Sequence, residues 1–263
     1  MIRRGFADSA LGQIHYRICG SLDNRKPRLL MLHQAPSSGA MYEAIMPHLS
    51  ENFTVIAPDF PGFGDSASMA LEQHSIGNYA DAVMAVINSL SVDEFYLFGH
   101  HTGATVATEI AATQQCRVKK LILSGPTVLP DAMRNKLPDL VALPKVDSEG
   151  DFAKQIWQKI RAKADGLDIN ISQREYRLAL ALGECYRAAY QAVADYDCAN
   201  KTKLITCPSL VFAGKHDVLR PYLAEALALL AQGQRIDIGD TNTYVCETHP
   251  DKVANIIKKF IGH

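Results

Sequence analysis

Gly99-His100-His101-Thr102-Gly103 constrains this chain more than any other stretch. An apolar, strand-like run, Phe95 to Phe98, leads into it, and a helical pattern, Ala104 to Ala112, leaves it. A strand that becomes a helix within so few residues must turn sharply. The flanking glycines permit that turn and let strand and helix pack closely. The residue between them sits at the apex of that turn. Here that residue is His101.

The rest of the chain alternates in the same way. Ile2 to Ala7 and Gln13 to Cys19 read as a hairpin, with Ser9 to Gly12 as its turn. Arg28 to Leu32 is a short continuous apolar run, as expected of a strand buried on both faces. The loop His33 to Gly39 ends it, and Met41 to Leu49 reads as one helix. Phe53 to Ala57 is the next strand, followed by the turn-rich Pro58 to Ser66. Ser75 caps a helix reaching about Leu90, and Val118 to Ser124 is a further strand. Strands alternating with helices make a parallel α/β sheet with right-handed crossovers. The alternation stops at Gly125-Pro126, and Thr127 to Asn200 is helical and aromatic. It then resumes with strand Ser209 to Ala213, helix Pro221 to Leu230, strand Arg235 to Ile238 and helix Pro250 to Ile261. Residues 127–200 are therefore expected to be an insertion, with 1–126 and 201–263 forming one core.

Composition narrows the function classes. The 263 residues are 48% apolar and 21% charged, enough for a large core and against global disorder. A net charge of −1 argues against a nucleic-acid partner or an anionic membrane surface, both of which need a basic field. The six cysteines show no C-x-x-C and no metal-ligand spacing, which reads as idle thiols in a reducing, cytoplasmic setting. No signal core follows the basic Met1 to Gly5, and no run spans a bilayer. No P-loop or strand-borne G-x-G-x-x-G points to a cofactor, so neither cofactor nor metal is expected.

Four landmarks in this order resemble the capped α/β-hydrolase superfamily, and the resemblance covers nearly all of the chain. His33-Gln34-Ala35-Pro36 looks like an HGxP loop, and Asp59 to Ser66 like a D-x-x-G-x-G-x-S turn. Gly99 to Gly103 looks like the nucleophile elbow G-x-S-x-G, and Gly214 to Pro221 like the G-x-x-D-x-x-x-P segment of the triad acid. The resemblance implies an α/β-hydrolase fold with a helical cap over residues 127–200 and a small-molecule site between cap and sheet. It implies Asp217 as the acid and the backbone N–H groups of Ala35 and Thr102 as oxyanion donors. Two departures stand out. The elbow residue is His101, and counting back five from Glu247 puts Asn242 where the family carries its catalytic His, with His249 as the competing reading.

Asn cannot take a proton from a serine, and no elbow serine is present, so a serine-esterase mechanism is not supported. An imidazole titrates near neutrality and can serve as general base. The expectation is an enzyme acting on a small ester, lactone or C–C bond, with His101 as base and Asp217 or Asn242 orienting it. The same base could serve a lyase or an isomerase, His101 could act as a nucleophile, or the pocket could bind a ligand without turnover. Gln34 adds an amide that is either a donor or a loop brace. His33 and His100 read as structural, with His100 close to the site, Asp59 and Asp65 as turn residues, and His216 as exposed. The pair His100-His101 lacks a suitably spaced third metal ligand. Arg174, Arg177 and Arg187 could attract an acidic substrate but read as a solvated helix face. Oligomeric state is not legible.

Overall fold

A computed structural model describes residues 1–22 and 25–262. Strands β1 (Ile2–Ser9) and β2 (Gly12–Cys19) form the expected antiparallel hairpin. β3 (Arg28–Leu32) leads to a 3-10 turn, Gly39–Tyr42, and the short α1 (Met46–Leu49). The single helix expected over Met41 to Leu49 is thus broken. Pro47 lacks the N–H that a continuous helix needs to reach back one turn. The apolar residues of the segment, Met41, Ile45, Met46 and Leu49, are still buried. β4 (Thr54–Pro58), α2 (Ile76–Ser89), β5 (Phe95–His100), α3 (Thr102–Thr113) and β6 (Val118–Ser124) follow.

Six helices stand between β6 and the next strand: α4 (Asp131–Arg134), α5 (Leu137–Val141), α6 (Asp151–Arg161), α7 (Ile169–Leu182), α8 (Cys185–Asp195) and α9 (Cys198–Thr202). The chain then completes the sheet with β7 (Ser209–Phe212), α10 (Leu223–Leu229), β8 (Gly233–Arg235), α11 (Val245–Thr248) and α12 (Pro250–Ile261). β8 lies two residues earlier than the expected Arg235 to Ile238. It is an edge strand on the four-residue β7, and its register with β7 runs from Ser209↔Gly233 to Val211↔Arg235.

The sheet has the order β1-β2-β4-β3-β5-β6-β7-β8, parallel from β4 to β8 and antiparallel at the β1 and β2 edge. Period-two alternation divides its side chains between two apolar layers. Leu30, Leu32, Leu97, Leu121 and Leu123 face the layer of α2 and α3. Leu29, Met31, Phe98, Ile122 and Phe212 face α1 and α12. Both faces are covered, which explains the unbroken apolar runs in the sequence. The loops leaving β3, β5, β6 and β7 all emerge at the carboxyl edge of the parallel strands, where open α/β sheets form their binding crevices.

The turn from β5 into α3 is as tight as the glycines imply. A Cβ on Gly99 would stand 2.3 Å from the Gly103 carbonyl oxygen, and one on Gly103 would stand 2.1 Å from the Leu32 carbonyl oxygen. Both obstacles are backbone and cannot rotate away. Gly103→Ala is therefore expected to cost about 3 kcal/mol or more, because strand and helix must separate to admit one methyl group. Urea denaturation of the purified variant against the parent measures this.

Candidate functional site

His101 sits in the β5–α3 turn at φ 50° and ψ −113°, left-handed backbone that a side chain rarely adopts. Its N–H donates to the Ser124 carbonyl, 2.9 Å away. The ring reaches toward the loop after β7, where Nε2 lies 2.8 Å from Asp217 Oδ2 and 3.1 Å from Oδ1. Room for it comes from Gly125, where a Cβ would meet His101 Cδ2 at 2.5 Å and Nε2 at 2.7 Å. Gly125 also has φ +60°, so two independent reasons keep it a glycine.

Asp217 is buried, and burial alone would raise its pKa. The charge and hydrogen bond of His101, the nearby His100, and the Leu219 N–H, 2.8 Å from Oδ1, outweigh that and hold it down to about 2. At neutral pH Asp217 is therefore an anion, and Nε2 of His101 must carry the proton that bridges them. In the neutral ring the lone pair is then on Nδ1. Among the described residues no hydrogen bond reaches Nδ1, which lies on the ring edge opposite Cδ2, turned away from Gly125.

The remaining expected residues fall around this pair. Thr102 opens α3, so its N–H has no intrahelical carbonyl. Ala35 N–H donates to Thr102 Oγ1 across 3.4 Å, which brings the two expected oxyanion positions side by side. Gln34 lines the cavity, and its Oε1 lies 3.5 Å from Thr243 Oγ1. His33 braces its loop: Nδ1 donates to the Gln34 carbonyl at 2.8 Å and Nε2 accepts from Phe60 N–H at 3.0 Å. Burial dominates its environment and lowers its pKa, as a permanently neutral brace requires. His216 is exposed and pairs with Asp240. The His249 ring lies away from the His101–Asp217 pair, its Nδ1 2.9 Å from Thr248 Oγ1 where α12 begins.

Asn242 is not brought to the imidazole. Its Oδ1 accepts the Tyr244 N–H at 2.9 Å and so closes its own loop. The side chain beside His101 is the next one, Thr243, whose Oγ1 is 3.3 Å from Nε2. Counting back from Glu247 thus lands one residue away from the side chain that stands beside His101. Two other expectations change. Asp59 is more than a turn residue: fully buried, it accepts Gly39 N–H at 2.7 Å and Asp65 N–H at 2.9 Å and pairs with His15. Arg174 is not solvated. Its Nη2 lies 2.7 Å from Glu175 and 3.0 Å from Glu247, tying α7 to α11.

The cavity at this site is about 190 Å³ and is mostly apolar. His101, Thr102, Gln34 and Thr243 form its floor, and Leu137, Val141, Tyr190 and Val193 from the inserted helices line it from the other side. Tyr190 hydroxyl donates to the Ala35 carbonyl at 2.9 Å, fixing insertion to loop. Sequence reading missed Thr243 and Gly125 and did not single out Tyr190. The only signals were adjacency to Asn242, the end of the strand–helix alternation, and one aromatic in a helical stripe. Asp217 also supplies the third donor that the pair His100-His101 lacked in sequence, since one atom of each lies within 4.8 Å of the others. The 2.8 Å contact of His101 with Asp217 is a hydrogen bond, so holding an ion there would require the two groups to part.

A family model described as the alpha/beta hydrolase fold matches residues 27–250. A putative carbamate hydrolase, RutD, of Pantoea ananatis is 22% identical over 93% of this chain and 91% of that protein. An uncharacterised hydrolase of Saccharomyces cerevisiae is 27% identical, but over only 42% of this chain and 37% of its own length. The crystal structure of an enol-lactonase from Burkholderia xenovorans superposes with a TM-score of 0.77 at 17% identity, covering 98% of this chain and all of that one.

His100 yields a pH prediction. It is fully buried between Ser124 Oγ, at 2.9 Å, and Thr243 Oγ1, at 3.5 Å. Burial, followed by the neighbouring His101, lowers its pKa to about 3, against an ordinary value of 6.5. Below 6.5 the unfolded chain binds a proton that the folded chain refuses. Stability should therefore fall as pH drops from about 6.5 toward 3, by about 1.4 kcal/mol per pH unit from this residue. His100→Asn should flatten the slope of unfolding free energy between pH 4 and 6 by about one proton, as read from urea titrations at each pH.

Proposed function

Because this chain belongs to the α/β hydrolase fold family, we propose that it is an enzyme cleaving an ester or lactone bond in a small organic molecule, with His101 as general base. One observation carries the reading. The buried, ionised Asp217 claims the Nε2 proton of His101 across 2.8 Å and leaves Nδ1 as the basic atom of a ring in the cavity floor. In the family pattern the elbow offers a hydroxyl and a loop offers the imidazole. Here the elbow itself offers the imidazole, and the ring reaches the acid directly.

The chemistry follows from that exchange. With substrate in the cavity, Nδ1 takes a proton from water as the water oxygen attacks the carbonyl carbon. The imidazolium that forms stays paired with the Asp217 carboxylate. The negative charge that develops on the carbonyl oxygen faces the N–H groups of Ala35 and Thr102, with Thr102 at the positive end of α3. The proton on Nδ1 then passes to the departing oxygen, and the ring returns to its starting form. Thr243 is a poor nucleophile in this frame, because the nitrogen beside its hydroxyl already carries the proton held by Asp217. The names of two similar proteins, an enol-lactonase and a putative carbamate hydrolase, fit attack of water on a carbonyl.

A binding protein without turnover is the second reading, favoured by the absence of a hydroxyl, thiol or carboxylate at position 101. The helical segment acts as a cap in both readings. Hydrolysis of activated esters and small lactones by the parent, His101→Ala and Asp217→Asn separates them. We expect His101→Ala to lower kcat/KM by about 10²- to 10⁴-fold, and Asp217→Asn by about 10²-fold or more through loss of the fixed tautomer. Both variants should retain the parent circular dichroism spectrum. Turnover undiminished in His101→Ala would remove the imidazole from the reaction. Ligand-induced thermal shifts with no product from any ester or lactone would establish the binding reading.

A further inference from the structure

Lys163, two residues beyond α6, is half-buried and lines the same cavity as His101. It is the one lysine or arginine in that lining. Among the described residues no carboxylate pairs with it and no acceptor receives a hydrogen bond from it. Three other cations of these helices are committed. Arg174 is held by Glu175 and Glu247, Arg187 by Asp139, and Arg161 by the Leu167 carbonyl and Ser172. Apart from His101 and Lys163, the titratable groups of the lining are Tyr190, whose hydroxyl donates to Ala35, and His216, which pairs with Asp240. The walls include Leu129, Leu137, Val141 and Val193. An ammonium among apolar walls, with no internal counter-ion, is stabilised by an anion delivered from outside, and there each bond to it is worth more than in water.

Lys163 shares this lining with Tyr190, whose hydroxyl holds the carbonyl of Ala35. The volume of about 190 Å³ is somewhat larger than a cavity of about 150 Å³ that holds benzene. That leaves room for one ring-sized apolar body and a single polar group.

We propose that Lys163 is the specificity-determining cation of this site, and that the molecule the cavity accepts is a small monoanion, an apolar body of about ten non-hydrogen atoms bearing one carboxylate. The proposal rests on the reading of this cavity as the substrate site, but not on His101 being the base.

The test uses phenylacetate and its neutral isostere phenylacetamide as probes, with binding measured by calorimetry. The parent should bind phenylacetate at least about tenfold more tightly than phenylacetamide. Lys163→Met, which keeps the length of the apolar stem, should reduce that ratio to near one. Lys163→Arg should restore most of it. The ratio is a binding measurement that needs no turnover, so a failure of the catalytic reading remains distinguishable from a failure of this one. A ratio near one in the parent, an unchanged ratio in Lys163→Met, or no saturable phenylacetate binding at millimolar concentration would each overturn the proposal. An unchanged ratio in Lys163→Met would mean that only the stem lines the cavity while the ammonium stays in water.

Discussion

The closeness of β5 and α3 governs everything built above them. Two backbone carbonyls stand where side chains would go on Gly99 and Gly103, so the strand runs into the helix with no slack. That forces residue 101 into left-handed backbone and projects its side chain over the sheet edge. A histidine tolerates this conformation because several interactions determine it together. Its N–H is bound by Ser124, its ring is admitted by the bare Gly125, and its Nε2 is held by Asp217. The local strain persists because the neighbours leave no alternative.

The electrostatics of the site are built on one anion and one neutral histidine. Asp217 stays ionised in a buried position because His101 and the Leu219 N–H compensate its lost hydration. His100, stacked 4.3 Å from His101, is kept uncharged by burial, so two imidazoles lie side by side without two positive charges. His100 thereby behaves as a wall with hydrogen-bonding edges, and His101 remains the ring poised between acid and cavity. The Arg174 bridge and the Tyr190 hydroxyl seat the inserted helices on this floor from two sides.

The fold was legible because its signals are local. The alternating runs, the hairpin, and the glycines at 99 and 103 report backbone requirements that hold wherever the sequence places them. Where the reading slipped, a single residue or a short strand interfered. Pro47 interrupted an otherwise periodic helix, and β8 ended early on a four-residue partner. The meeting of His101 with Asp217 was legible only through the resemblance of Gly214 to Pro221 to the segment of the triad acid, and Asn242 stood beside it as an alternative partner. The choice of Thr243 over Asn242 was not readable. It depends on the Asn242 side chain turning back onto the Tyr244 N–H, which nothing in the composition marks. Arg174 was misread for a similar reason. A helix face looks solvated until the element that buries it, here α11 with Glu247, is known.

The single carboxylate at the centre of the site has an evolutionary corollary. One Asp217 can orient one imidazole, because its oxygens are already shared between His101 and the Leu219 N–H. Restoring a serine at 101 alone would leave a hydroxyl with no base beside it. Adding a histidine to the loop at 242 or 243 alone would set two rings competing for the same anion. The ordinary triad and the present arrangement are therefore separated by at least two coupled substitutions, with a defective intermediate along either path. The bare Gly125, which admits the ring at 101, adds a third position to that coupling.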